Sequence, residues 1–107
     1  MKTINLTPHD VRLNDGREFP PSGQVARVTA GYEPIGPDMF RATFGEVVGL
    51  PSPELGTIYV VSGMVASAVP ERADVVSPAT GHPAAVRRDG QVYSVPGWIV
   101  TPAGRAS

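Results

Sequence analysis

The chain has no cysteine and a single lysine, Lys2, among its 107 residues. Without thiols there are no disulfides, no cysteine zinc sites, no iron–sulfur clusters and no thiolate nucleophile, so burial alone must hold the domain together. No Gly-Lys pair closes a glycine-rich loop, which excludes the phosphate-cradling P-loop, and no dinucleotide fingerprint is present. The two histidines, His9 and His82, stand far apart, and neither has a His or Glu at the spacing of a helical metal site. No metal and no cofactor is expected. Charge of one sign is lacking as well: nine basic against ten acidic residues give a net charge of -1. That leaves no field to gather a polyanion, so nucleic acid is not an expected partner. No apolar run approaches the roughly 18 residues that span a bilayer, and residues 1–6 lack the apolar stretch of a secretion signal. The expectation is a soluble, cytoplasmic protein that engages no membrane.

What the chain has in quantity is punctuation and valine. Gly and Pro number 12 each, and fifteen Val with four Ile stand against only four Leu. β-Branched side chains lose rotamer freedom on a helix and pack well on a pleated surface, so the core should be sheet, cut by many turns. The length suits a single domain over residues 1–107. The expected class is α+β and β-rich: a small curled sheet or partly open barrel of about six strands with one short helix.

Residues 3–6 read as a strand, and Asn14, Asp15 and Gly16 between two extended runs mark a hairpin turn. Residues 24–30 alternate as a half-buried strand, residues 31–38 read as a loop because of their two prolines and two glycines, and residues 40–48 resume an extended pattern in which Gly45 suggests a bulge. Residues 57–61 form the most apolar run and should be a central strand buried on both faces. Ser62 is placed to cap a short helix carrying Met64, Val65, Ala68 and Val69 on one side, and Pro70 ends it. Ile58, Val60, Met64, Val65 and Ala68 are the expected core. Residues 73–77 read as a further strand, Asp89 and Gly90 as a second hairpin turn, and the chain is expected to fray after about residue 102.

Candidate functional groups are sparse. Ser62 stands at a strand-to-helix junction, but Val61 and Gly63 flank it without the Gly-x-Ser-x-Gly pattern, and capping accounts for it better than catalysis. No catalytic residue is therefore assigned. Thr7, His9, Arg27, Arg72 and Asp74, with Asn5, Ser22 and Ser62, fall at strand ends or at the helix cap, where they would converge on one rim of a small sheet. They form either a binding rim or polar pins for the turns. The preferred reading of His9 is a ring that fastens a kink, and that of Arg72 with Asp74 an ion pair at the helix exit. Phe19, Phe40, Tyr32 and Trp98 lie beside Pro or Gly, or at strand ends, where a small core could leave them for a partner.

A string of short motifs adds to this. Asn5-Leu6-Thr7-Pro8-His9, Pro21-Ser22-Gly23 followed by Ala26-Arg27, Gly49-Leu50-Pro51, Gly56-Thr57 with Tyr59-Val60-Val61-Ser62, Val65-Ala66, and then Arg72, Asp74-Val75, Pro78 and Arg88-Asp89 resemble a family of short uncharacterised bacteriophage and bacterial proteins. The resemblance covers residues 4–95 and departs from residue 93 onward, where Trp98 falls. It implies a phage or prophage origin and a complete small protein, with no activity or cofactor to carry over. The expected function is that of a small accessory protein that binds a host protein during phage growth, as a counter-defence or takeover factor, or at least forms a homodimer. A small-ligand or nucleotide-binding protein using Thr7, His9, Arg27, Arg72 and Asp74 is the alternative, followed by a hydrolase and a minor virion component.

Overall fold

The computed structural model describes residues 1–100, and the expected fraying after residue 102 lies outside them. It is β-rich with one short helix, as the valine content implies. The strands number ten among the described residues and divide into four separate sheets, none of them closed. The expectation of a single six-stranded curl or open barrel is corrected accordingly: six of the ten strands pair only two by two instead of joining the four-stranded central sheet.

The central sheet has the order β1, β6, β7, β10, from Lys2–Asn5, Thr57–Val60, Val75–Pro78 and Trp98–Val100. β1, β6 and β7 run parallel, and β10 is antiparallel to β7. The helix α1, Gly63–Ala68, connects β6 to β7 and makes the crossover that parallel neighbours need. Its N-cap is Ser62, whose hydroxyl accepts a hydrogen bond from the Val65 N–H. Three two-stranded pairs accompany this sheet: β2 (Val11–Arg12) with β3 (Glu18–Phe19), β4 (Arg27–Gly36) with β5 (Met39–Val48), and β8 (Val86–Arg88) with β9 (Gln91–Ser94).

Burial follows the alternation of β6. Tyr59 and Val61 enter one core cluster with Leu6, Ala26, Val65, Ala66 and Val75, while Val60 enters the other with Val11, Leu13, Val76 and Val95. The central strand is thus covered on both faces. Of the remaining core expectations, Val65 is buried, Ile58 and Ala68 are half-buried, and Met64 is exposed. A helix of six residues presents only a narrow face, and Val65 with Ala66 fill it, which turns Met64 outward.

Of the expected loop over residues 31–38, residues 31–36 belong to β4 and only Pro37 and Asp38 form the turn to β5. β4 and β5 form a long ribbon with two irregularities. Val28 pairs with Val47 and Ala30 with Phe44, so Gly45 and Glu46 together face Thr29 alone, a bulge at the position where Gly45 suggested one. A Cβ on Gly45 would lie 3.2 Å from the Thr29 Cβ. At the foot of the ribbon Gly49 has φ +82, and a Cβ there would fall 2.4 Å from the Val25 carbonyl oxygen, so no other residue fits without shifting the backbone.

Candidate functional site

The N-terminal motif is a hydrogen-bonded knot. Asn5 is buried, and its side-chain amide donates to the carbonyls of His9 and Phe19, each at 2.8 Å. Its Oδ1 accepts from the Thr7 N–H at 2.9 Å and from the Thr7 hydroxyl at 2.6 Å. One side chain therefore bends the chain after β1 and ties it to β3. The kink is fastened by the carbonyl of His9; the imidazole makes no hydrogen bond to any described residue, which corrects the expectation that the ring does the pinning.

The expected rim splits because β7 runs parallel to β1. Thr7, His9 and Ser62 follow the carboxyl ends of β1 and β6, and all three line a cleft of about 660 Å³ with Asp10, Arg12, Ser77, Thr80 and Tyr93. Arg72 and Asp74 precede β7 and so lie at the opposite end of the sheet. Arg27 stands at the foot of the ribbon, in a second hollow of about 240 Å³ that shares only Pro8 and Ser62 with the first. Tyr32 is far out on the ribbon and 76% exposed. Trp98 is half-buried, packed edge-on against Phe19 with ring centroids 5.5 Å apart, so these two rings cover the second core cluster.

Arg72 and Asp74 make a two-pronged ion pair, at 2.8 Å from Nε to Oδ1 and 2.9 Å from Nη2 to Oδ2, and Nη2 also donates to the Pro51 carbonyl at 3.0 Å. The pair anchors the loop before β6 to the start of β7. Hydrogen bonds from Arg72 hold the Asp74 carboxyl below its ordinary value, with burial opposing them. A carboxyl with a folded-state pKa below its unfolded one adds stability above the unfolded value, and that stability is lost as pH falls through the folded value. Asp74→Asn should therefore lower stability by about 1 kcal/mol at neutral pH, a size set by side chains that are partly solvated. Its melting temperature should converge on wild type as the buffer is taken to about pH 2; a difference independent of pH would show that the charge is not what matters.

In the cleft, Arg12 is committed to Glu18 through Nε at 2.8 Å, and its guanidinium lies 4.4 Å from the Tyr93 ring centroid. Arg88 lies over the same ring at 3.7 Å. Among the described residues no group of three or more metal-ligating side chains is gathered, and no helix is long and apolar enough to cross a membrane.

The ribbon carries the other surface feature. Tyr32 pairs with Ala42, Pro34 with Phe40 and Ala30 with Phe44, and paired residues share a face, so Tyr32, Phe40 and Phe44 lie on one side. Glu33 and Arg41 pair on the other side, 4.0 Å apart. By the same alternation the aromatic side continues from Val28 and Val47, which pack against the first core cluster. It then runs out past the body with Tyr32 76%, Phe40 61% and Phe44 46% exposed. Two features of the sequence point to this: the alternation of residues 40, 42 and 44, and the adjacency of Phe40 to a turn at Pro37 and Asp38. Ser77 and Tyr93 carry no such signal. No family model, curated protein or solved structure matches the chain.

Proposed function

We propose that the protein acts by binding rather than catalysis, as a small phage-type accessory factor that occupies a host protein in the host cytoplasm, for counter-defence or host takeover. The observation that carries this reading is the uncharged aromatic face of the β4–β5 ribbon, exposed although it is continuous with the core. Two-stranded ribbons are marginal alone in water, and one with its apolar side outward is suited to a partner. Aromatic side chains bring roughly 150–250 Å² each, so at the observed exposures the three offer roughly 280–460 Å² of surface, most of it apolar. That is about a third to a little over half of what one partner, roughly 800 Å², contributes to an interface of ordinary size. The absence of charge on this face fits an apolar protein surface. Ser62, the serine at the strand-to-helix junction, is occupied as a helix cap, which supports binding over hydrolysis.

The test uses the double variant Tyr32→Ser, Phe40→Ser. Both side chains are exposed, so the variant should melt within a few degrees of wild type. A host protein captured by wild type, and bound again when purified, should lose at least tenfold in affinity for the variant. Undiminished binding, or light scattering that finds a homodimer dispersed by the same two substitutions, would overturn the proposal; in the second case a further copy of the chain covers the face.

A further inference from the structure

We propose that the cleft at the carboxyl ends of β1, β6 and β7 is a second binding site, for a neutral ring bearing vicinal hydroxyls, as a nucleoside or a free sugar presents. Sheets with parallel strands receive ligands at that end, where successive loops diverge and leave a crevice. The volume, about 660 Å³, lies within the range of small-molecule sites, roughly 300–1,000 Å³.

The chemistry of the lining sets the ligand class. The side chains of His9, Asp10, Ser77 and Thr80 make no hydrogen bond or ion pair to other described residues. Ser77 is the telling member. The residue is only 6% exposed, and among the described residues no buried side-chain oxygen lacks a partner, so its free hydroxyl opens into the cleft. A buried strand position would otherwise be filled by a residue like its neighbours Val75 and Val76.

Asp10 can accept hydrogen bonds from two adjacent hydroxyls, the His9 imidazole offers one donor and one acceptor, and serine and threonine hydroxyls both donate and accept. Pro8, Pro78, Val92 and Ile99 provide apolar wall for the C–H face of a ring. An anion is disfavoured: Arg12, the one arginine in the lining, is engaged by Glu18 and Tyr93, and Asp10 brings an unpaired negative charge. The site is separate from the ribbon face, and its occupancy does not depend on a protein partner.

Saturation-transfer NMR on the purified full chain, with adenosine, ribose, glucose, adenosine monophosphate and 2′,3′-dideoxyadenosine as probes, tests the proposal. Adenosine or a sugar should bind saturably, and which of them does identifies the source of the ring. Dideoxyadenosine should fail, and the monophosphate should bind no tighter than adenosine. Asp10→Asn, at an exposed position, should keep the wild-type melting temperature and weaken binding at least tenfold. Three results would each overturn the proposal: no diol bound by wild type, equal binding of the dideoxy compound, or tighter, salt-sensitive binding of the monophosphate. The variant Tyr32→Ser, Phe40→Ser should bind the same ligand as wild type, so that failure here is distinct from failure at the ribbon.

Discussion

Asn5→Ala should lower the unfolding free energy by about 3–4 kcal/mol, a large part of the roughly 5–15 kcal/mol that holds a domain of this kind together. The side chain makes four hydrogen bonds in a buried setting, to His9, Phe19 and twice to Thr7. Each ordinarily contributes about 1 kcal/mol, and truncation also strands the Phe19 carbonyl and the Thr7 groups away from good partners. Asn5→Asp should be at least as damaging: a carboxylate cannot donate, and it would face two carbonyl oxygens. Urea denaturation of both variants gives the measurement. A loss below about 1 kcal/mol for Asn5→Ala would mean that water replaces the knot at little cost. The Asn-Leu-Thr-Pro-His string, which reads as a motif without chemistry, thus has a mechanical explanation: it needs an amide side chain that both donates and accepts, and a hydroxyl two residues on.

Val60→Asp should abolish the folded state. Val60 is 0% exposed, in the middle of the central sheet, and packs with Val11, Leu13, Val76 and Val95. An unpaired carboxylate there has no donor to turn to, and the penalty exceeds any plausible total stability unless the group is protonated. Val60→Ala, which should fold, is expected to lose about 2–3 kcal/mol through the cavity it leaves. Circular dichroism melts of the two variants check this. Wild-type behaviour of Val60→Asp would mean that β6 is not the centre of the sheet.

The parts of the fold that were legible in the sequence are those decided locally. The apolar run at residues 57–61 reads as a strand buried on two faces, Ser62 is better explained as a cap than as a nucleophile, and Asp89-Gly90 reads as a turn; Asp89 and Gly90 indeed have φ of 53° and 79°, as a two-residue hairpin turn requires. What was illegible depends on partners. Residues 31–36 look like a loop because Gly31, Pro34 and Gly36 are turn formers, yet a two-stranded ribbon has a free outer edge on which a proline that cannot donate is tolerated. The rim could be placed at strand ends but not at the correct ones. Whether Asp74 meets His9 depends on whether β7 runs with β1 or against it, and the only trace of that in the sequence is the order strand, helix, strand over residues 57–78. A helical spacing says which residues share a side, not how narrow a contact the short helix makes, so Met64 shares the side of Val65 in the sequence yet is exposed in the fold.

The order of strands in the central sheet also governs when the molecule can form. β1 pairs with β6, so Lys2 meets Thr57, and the bridge from Leu13 to Val95 joins segments still further apart in the chain. Such pairings close long loops before any contact repays them, and proteins dominated by them fold on the slow, millisecond-to-second side of the range. During synthesis β1 must wait for more than half the chain to leave the ribosome, whereas the β4–β5 hairpin, with its strands adjacent, can assemble as soon as it emerges. The aromatic ribbon, like the shorter β2–β3 pair that emerges ahead of it, can therefore form before the sheet and helix against which its base will rest.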